Sequence, residues 1–366
     1  MKTPRTEESI TIDGTDRALI RALQLAPRGS FSRIGDVLGL SEQTVARRYR
    51  RLCREGVLRV VALVDPAALG ESTWTIRVRC RPDGTAAIAD ALARRDDVGW
   101  VALSAGGSEV TCAVRSRSRE QRDELLLQRL PRTSPVLGIS AAVMLHRFVG
   151  QGTDDWAAFR DALTPGQATW LAGLRSDLPE TPGRGSPGGL EPGDEPMIEL
   201  LSRSGRASYA ELAAAAGVSE GRAARRLSAL LGGGLLYLDV DLSAPLLGFA
   251  AQATLWLTVS PANLDQAGRA LRDQPQVAFA AAVSGPSNLT ASVTCRDLDE
   301  LYRFATTSVG AIAGVQAMEI SPVVRHVKQA GAIRSGNRLM DAPPPVRAPR
   351  ARRAGPPGLT GPGHPA

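Results

Sequence analysis

Two stretches of this chain repeat one another at a constant distance of 178 residues. Gly39-Leu40-Ser41-Glu42 in the first stretch recurs as Gly217-Val218-Ser219-Glu220 in the second. The other corresponding pairs are also alike in chemistry: Asp16 with Asp194, Ile20 with Ile198, Leu23 with Leu201, Phe31 with Tyr209, Arg47 with Arg225, Arg48 with Arg226, Leu52 with Leu230 and, after one inserted residue, Val98 with Val277. Apolar positions that stay in register over such a length indicate one structural unit that is present twice.

Length and charge limit the classes of protein to consider. The chain has 366 residues, of which 43% are hydrophobic, and so suits roughly two to four small domains. Its formal net charge of +7 favours an anionic partner, either nucleic acid or a membrane surface. The longest nearly apolar stretch, Leu246 to Val259, is shorter than the roughly 20 residues that a spanning helix needs. Met1 to Ser9 lacks the apolar segment of a signal peptide. We therefore expect a cytoplasmic protein without a membrane partner.

Three segments lack the apolar periodicity of a packed domain. Residues 1–9 are polar, residues 150–190 include a run from Pro179 to Gly189 that is rich in proline and glycine, and residues 333–366 are basic and rich in proline. Such composition does not build a core, and it predicts a disordered N-terminus, a linker and a disordered tail. The arginines of the tail are either solvated or an additional electrostatic contact with DNA.

The start of each repeat has the pattern of a helix-turn-helix. Ser32 can cap a short second helix, Gly39 suits the turn that ends it, and Ser41 can cap a third helix. The apolar residues of that third helix are spaced for a single face. Val57 to Val64 alternates and predicts a short β-wing. Residues 10–66 are therefore predicted to form a winged helix-turn-helix domain, and residues 191–245 a degenerate second one.

Each repeat continues with a different periodicity. Segments of alternating residues predict strands over 73–80, 98–103, 109–114 and 136–145, and helical periodicity covers 85–94 and 119–130. The order βαββαβ predicts a ferredoxin-like domain over residues 67–149, which is repeated over residues 246–332. The fold class is therefore α+β, with two winged helix-turn-helix domains that alternate with two ferredoxin-like domains.

The third helix of the first repeat carries the chemistry of DNA recognition. Between Arg47 and Arg59 there are six arginines and one glutamate. Arginine and glutamine side chains can pair with base edges in the major groove, where the N-terminal part of such a helix lies. The predicted base-reading residues are Gln43, Thr44 and Arg47, the predicted phosphate contacts are Arg50, Arg51 and Arg54, and Ser32, Ser41 and Arg48 complete the predicted DNA-binding set. The alternative is a solvated basic helix face on a domain that does not bind DNA.

The corresponding helix of the second repeat is less basic. Over the matching span, Arg225 to Tyr237, the charged residues are Arg225 and Arg226. The helix runs into Gly232-Gly233-Gly234, and each glycine costs roughly 1 kcal/mol relative to alanine inside a helix. We predict a shorter helix with weaker DNA contact, in which Arg222, Arg225 and Arg226 hold phosphates. Whether this helix also reads base sequence stays open.

These residues resemble the Lrp/AsnC, or feast/famine, family of bacterial regulators. The resemblance rests on Ile12 to Ile20, Gly39 to Arg48, Glu55 to Leu58 and Asp65 to Gly70, and it extends over nearly the whole chain except the linker and tail. It implies a DNA-binding domain joined to a βαββαβ domain that mediates dimer formation and binds small effectors, often amino acids. Family members usually have one copy of each domain, so this chain resembles a covalent dimer. We expect its two βαββαβ units to pair within the chain and the chain to form homo-oligomers.

The resemblance also implies an effector site beside the turn between the middle strands of each βαββαβ domain. This turn corresponds to Gly106, Gly107 and Ser108 in the first repeat and to Gly285, Pro286 and Ser287 in the second. The family commonly has an aromatic residue and an aspartate after the glycine, whereas this chain has Ser108-Glu109 and Ser287-Asn288. The alternative is a hairpin turn that binds no ligand.

Enzyme chemistry has little support in the residues. Cys53, Cys80, Cys112 and Cys295 are scattered, the spacing of cysteines and histidines does not suit zinc, and no catalytic set can be assembled from the spacing. We predict a transcriptional regulator rather than an enzyme, which binds double-stranded DNA and a small effector such as an amino acid, without a metal or cofactor. Effector binding would shift the relative position of the DNA-binding domains. The alternatives are an Lrp-like haem-pathway decarboxylase and a ligand sensor that does not bind DNA.

Overall fold

Helices and strands follow one another in nearly the same order in the two halves of the chain. The computed structural model describes residues 10–116, 118–130, 133–150, 156, 159–174, 189–191 and 193–340. The first half comprises α1 (Gly14–Leu25), α2 (Phe31–Leu38), α3 (Glu42–Arg54), β1 (Leu58–Val64), β2 (Ser72–Cys80), α4 (Thr85–Ala93), β3 (Val98–Ser104), β4 (Glu109–Ser116), α5 (Arg119–Asp123), β5 (Val136–Val149) and α6 (Pro165–Gly173). The second half comprises α7 (Asp194–Arg203), α8 (Tyr209–Ala216), α9 (Glu220–Gly232), β6 (Leu236–Leu242), β7 (Ala251–Val259), α10 (Leu264–Arg272), β8 (Val277–Val283), β9 (Leu289–Cys295), α11 (Leu298–Arg303), β10 (Val315–Gln329), β11 (Ala332–Ser335) and β12 (Arg338–Leu339).

Local signals in the sequence set the ends of α2 and α3. Gly39 ends α2 in the left-handed region at φ 66°, which glycine adopts without a Cβ penalty, and the Ser41 side chain caps α3. The cap of α2, however, is Ser30, whose hydroxyl accepts a hydrogen bond from Arg33 N. The prediction of Ser32 as the cap is therefore wrong, and Ser32 is exposed in the first turn. Two serines separated by one residue both suit a cap, and only the backbone path decides between them.

The strand predicted as a wing, β1, pairs with β6, the corresponding strand of the second repeat. β1 runs antiparallel to β6, from Leu58 opposite Leu242 to Val64 opposite Leu236, and the two strands form a separate two-stranded sheet. Most of β1 is buried on both faces, because the ribbon lies between the two three-helix cores. Alternation predicts a strand correctly but does not identify its partner. The ribbon thus joins the two three-helix units.

The two βαββαβ units form one closed ring of eight strands. Within the units the strand orders are β3-β4-β2-β5 and β8-β9-β7-β10. The edge strand β5 pairs with β8 of the other unit, and β10 pairs in the same way with β3. The helices cover the outer faces, each over its own apolar core. The α+β fold and the pairing of the units within the chain are confirmed, and the mutual pairing occupies both sheet edges.

Part of the predicted linker is a helix. Thr164 caps α6 in a capping box with Gln167, and Pro165 occupies the first turn. Leu171 is fully buried in the core around α1 to α3, and the Gln167 side chain donates to Val37 O. The prediction of an unstructured segment is wrong for residues 165–173, since the capping signature outweighs the composition of the neighbouring run. Residues 175–188, which carry most of that run, lie outside the described residues.

The predicted tail also begins too early. β11 and β12 form a small hairpin, and Leu339 N donates to Gly56 O at the end of α3. Arg334 of this hairpin donates to the Ser243 hydroxyl at 2.8 Å, beside the β1–β6 ribbon. The hairpin is ordered because it packs against the first three-helix unit, a long-range contact that composition does not reveal. The predicted disorder of residues 1–9 and of 341–366 concerns residues outside the described ones.

Three general features concern the class of protein. In the described part of the chain, the helices are all too short or too polar to cross a bilayer. The same residues bring together no group of three or more histidine, cysteine, aspartate or glutamate side chains suited to a metal ion. Cys80, Cys112 and Cys295 are buried free thiols, and Cys53 is a free thiol that is partly buried.

Candidate nucleic-acid interface

One face of α3 is a basic stripe that faces solvent. Its members are spaced by four, three and four residues, which places them along one side of a helix with 3.6 residues per turn. Val45 and Leu52 are fully buried on the opposite side. The exposed stripe consists of Gln43, Arg47, Arg50 and Arg54. We call these residues the α3 stripe.

The N-terminus of α3 is capped by Ser41 and lies on the same side as the α3 stripe. The Ser41 hydroxyl accepts a hydrogen bond from Thr44 N at 3.2 Å and lies 2.9 Å from the Thr44 hydroxyl. The cap fixes the first turn, where unpaired backbone N–H groups and the helix dipole favour an anion. Ser41 and Gln43 are exposed and Thr44 is half-buried, so the structure brings these predicted residues together with the α3 stripe.

Two of the predicted DNA contacts are ion-paired inside the domain instead. Arg48 lies 2.8 Å from Asp13 and 2.9 Å from Asp16, and Arg51 lies 2.6 Å from Asp16. Asp16 is buried, with 1% of its surface exposed. Hydrogen bonds to Asp13 and then Asp16 raise the pKa of Arg48. These arginines clamp α3 onto α1. Arg48, three residues after Val45 and four before Leu52, lies beside the buried face by the same helical period, but the period does not identify its carboxylate partners.

The second repeat keeps the clamp and loses most of the stripe. Arg226 lies 2.5 Å from the buried Asp194, just as Arg48 lies beside Asp16. The positions that match the α3 stripe are Gly221, Arg225, Ser228 and Gly232, of which Ser228 is buried. Arg222 and Arg225 are exposed. This face of α9 therefore offers two exposed guanidinium groups, and it lacks the glutamine and the row of arginines that α3 carries.

The predicted shortening of the second recognition helix is wrong. α9 spans 13 residues, as does α3. The glycines fall at its end, where Gly233 is the C-cap and Gly234 takes φ 72°, so they cost little and the turn uses their freedom. Leu227 and Leu230 are fully buried and hold the helix in place.

The two helix-turn-helix units contact one another through a reciprocal pair of arginines that sequence reasoning missed. Arg28 donates to Gly205 O at 2.6 Å and Ala207 O at 2.9 Å. Arg206 donates to Pro27 O at 2.6 Å and Gly29 O at 2.8 Å. Burial lowers the pKa of both guanidinium groups. Arg28 and Arg206 stand 178 residues apart, so the repeat register contained the signal, although loop position gave no reason to use it.

The turns of the predicted effector site lie at the seams between the βαββαβ units. Gly106 and Gly107 take φ 66° and 90°, and the Ser108 hydroxyl donates to Ala105 O. Ser104, which precedes this turn, is opposite Val323 of the other unit. The shape of this turn requires glycine at two successive positions.

The matching turn in the second half has a different set of polar contacts. Gly285 takes φ 107° and, like Pro286, is exposed, whereas Ser287 is half-buried. The Asn288 side chain bonds both Val259 N and Val259 O, which staples the turn to β7. The structure thus places Gly106, Gly107 and Ser108 at one seam and Gly285, Pro286 and Ser287 at the other.

A polar cluster between the two sheets was also missed. Arg77 pairs with the buried Glu109 at 3.0 Å and with Glu319 of the other unit at 2.5 Å. Its guanidinium group lies 4.6 Å from the centre of the Trp256 ring. Glu109 follows Ser108 directly, so this cluster connects the first turn to the opposite unit.

The comparisons with known proteins agree with this architecture. The family model described as the AsnC-type helix-turn-helix domain matches residues 12–52 and 193–231, and that of the Lrp/AsnC ligand binding domain matches residues 252–333. An uncharacterised HTH-type transcriptional regulator of Pyrococcus abyssi is 30% identical over 137 residues, 37% of this chain and 87% of that protein. The regulator LrpA of the same species is 25% identical over 138 residues, 37% of this chain and 98% of LrpA.

A solved structure matches most of the chain in its fold. The crystal structure of the siroheme decarboxylase NirDL has a TM-score of 0.56 and covers 87% of this chain and 93% of its own, at 15% sequence identity. At this identity the likeness shows the fold alone.

Proposed function

The chain belongs to the Lrp/AsnC family of transcriptional regulators, with two copies of the family unit in one chain, and we propose that α3 is its base-reading helix. One observation carries this proposal. The four residues of the α3 stripe are exposed together, while Arg48 and Arg51 are held by carboxylates within the domain. A solvated face without function would not need this division between clamped and exposed arginines.

The position of each side chain along α3 suggests its role. Gln43, Thr44 and Arg47 lie in the first turns, which enter the major groove in a helix-turn-helix, and we assign base reading to them. Arg50 and Arg54 lie further along the stripe and are assigned to phosphates, with Ser32 and Ser41 at the exposed helix starts. In the second copy Arg222 and Arg225 are assigned to phosphates. Arg48, Arg51 and Arg226 support the interface from behind.

A footprint tests this assignment. Purified protein is bound to the DNA that flanks its own gene, at two salt concentrations, together with Arg47→Ala and the matched variant Arg225→Ala. We expect a discrete protected site for the unaltered chain, which Arg47→Ala loses. Arg225→Ala should weaken binding evenly across sequences and lower the salt slope by about 1, as the loss of one phosphate contact does. Uniform protection by the unaltered chain, or equal effects of the two variants, would contradict the proposal.

We further propose that a small effector of the amino-acid class binds beside the turns at the two seams. Its contacts would include Gly106, Gly107 and Ser108 at the first seam and Gly285, Pro286 and Ser287 at the second. The ligand-binding family model covers the second of these turns, which supports an effector there. Thermal shift with a panel of amino acids tests the proposal. An effector that raises the melting temperature of the chain and also of Ser108→Trp and Ser287→Trp variants would place the site elsewhere.

A decarboxylase role has only the fold likeness in its favour. His326 is half-buried beside Arg334, and burial lowers its pKa to about 4, so it is neutral at physiological pH. His146 stacks edge-on against Phe148 at 4.7 Å. We propose that the chain is a cytoplasmic regulator without enzymatic activity, and that it assembles into homo-oligomers. Absorbance titration with sirohaem and light scattering test these two points, and a stoichiometric sirohaem spectrum would restore the enzyme alternative.

A further inference from the structure

We propose that Arg206, in the second copy, positions the recognition helix of the first. This inference rests on the proposed role of α3 in base reading. It gives the second helix-turn-helix a task that its own depleted stripe does not suggest. Arg206 is a positioning residue here, since the role inferred for it acts through its contacts with Phe31 and Tyr49.

The contacts of Arg206 reach the middle of α3. Its guanidinium group lies 4.2 Å from the centre of the Phe31 ring and 5.5 Å from that of Tyr49. The two rings are themselves 5.2 Å apart. Tyr49 is a residue of α3 and lies in sequence between the stripe residues Arg47 and Arg50. A planar cation that contacts both rings resists rotation of α3 about its own axis.

The same side chain fixes the loop before α2. Arg206 donates to Pro27 O and Gly29 O, both in the α1–α2 connection of the first copy. A rigid guanidinium fork that bonds two carbonyls sets both distance and orientation, which an ammonium group cannot do. Loop, α2 and α3 of the first copy are therefore held by one side chain of the second.

The reciprocal contact of Arg28 lacks an aromatic residue on the neighbouring helix α9. Arg28 bonds Gly205 O and Ala207 O in the same manner, and its guanidinium group lies 5.5 Å from the Tyr209 ring. The residue of α9 that corresponds to Tyr49 is Leu227, which has no aromatic face. Arg28 therefore anchors the second copy without an aromatic contact to either recognition helix. The chain thus provides its own matched control.

The first arm of the test measures DNA discrimination. Arg206→Ala and Arg28→Ala are each titrated against the footprinted operator and against unrelated DNA. We expect Arg206→Ala to weaken operator binding about tenfold while its binding to unrelated DNA changes less than about twofold. Arg28→Ala should leave the ratio of the two affinities nearly unchanged. Equal losses of this ratio in the two variants, or none in Arg206→Ala, would overturn the inference.

The second arm does not depend on DNA. Amide hydrogen exchange is followed in α3 and α9 of the free protein. Arg206→Ala should speed exchange in α3 more than in α9, and Arg28→Ala should not. Should Arg206→Ala fail to fold, Arg206→Lys replaces it, because lysine keeps the charge and loses the fork. Faster exchange in α3 without any discrete footprint for the unaltered chain would defeat the proposed function and leave the positioning role standing. Unchanged exchange in α3 would defeat the positioning role alone.

Discussion

Asp16 makes more of the contacts that hold the first DNA-binding unit together than its single charge suggests. It is buried at 1% exposure, closes the capping box at the start of α1, and pairs with both Arg48 and Arg51 of α3. The side chains of Arg48 and Arg51 remain 24% and 28% exposed, so both arginines keep contact with water and only Asp16 bears the full desolvation cost of burial. The orientation of the α3 stripe thus depends on residues on the opposite, buried side of α3.

Removal of this carboxylate should destabilise the first unit. We expect Asp16→Asn to lower the free energy of unfolding by about 2 kcal/mol, because two arginines lose a partner while they keep some contact with water. Asp194→Asn is the matched change in the second unit, where Arg226 is the one arginine that pairs with the buried carboxylate among the described residues. Urea unfolding of the two variants decides, and a larger loss for Asp194→Asn would contradict this reasoning.

The same contacts predict how stability responds to acid. Burial alone would raise the pKa of Asp194, but hydrogen bonds from Arg226 and from Glu191 N outweigh it, so the pKa lies below the ordinary 3.8. A lowered pKa in the folded state adds stability that is complete above the unfolded value and is lost as pH falls through the folded one. We expect the second unit of Asp194→Asn to lose less stability than the unaltered unit when the pH falls from about 5 to 3. Parallel curves in urea titrations at these pH values would show that Asp194 does not contribute.

Among the elements, α6 shows how one half of the molecule is supported more than the other. It packs Leu171 into the core of the first helix-turn-helix, and the β11–β12 hairpin contacts the end of α3 in the same unit. The first helix-turn-helix unit is therefore braced from two sides.

Truncation of the α6 contact tests this support. Leu171→Ala should cost about 2 to 5 kcal/mol, as the loss of a fully buried leucine does. Trp170→Ala is the adjacent control, since Trp170 is 47% exposed and should change the free energy of unfolding by much less. Thermal unfolding monitored by circular dichroism gives both values, and equal shifts would mean that α6 does not hold its observed place.

Sequence patterns identified elements with a strong local signature and missed contacts between distant ones. The spacing of Val45 and Leu52, the glycine at position 39 and the cap at Ser41 predicted α2 and α3, since these signals lie within one or two turns. The helical period places Arg48 beside the buried face of α3 and Arg50 on the other side, but it does not identify the carboxylates that pair with Arg48 and Arg51. Arg28 and Arg206 occupy equivalent positions in the repeat, yet that register does not reveal their partners, which are backbone carbonyls about half a chain away.

For the whole molecule, the ring of eight strands joins the two halves by strand pairing. Each half supplies an edge strand to the other at two seams, and a third seam is the β1–β6 ribbon. The halves should therefore stay together without the covalent connection. A protease site inserted between residues 175 and 188 allows cleavage, after which we expect both fragments to co-elute in gel filtration and to retain the operator footprint. Fragments that separate would show that the seams alone are too weak to hold the halves.

The pairing of edge strands between the two halves of one chain has a consequence for gene control. When a regulator that must first dimerise is scarce, the amount of active dimer falls with the square of the monomer concentration, because two chains have to meet. Here the partner is always present at the effective concentration that its tether imposes. The pair of helix-turn-helix units therefore forms at any concentration of the chain, and only the larger assemblies proposed above depend on how many chains are present.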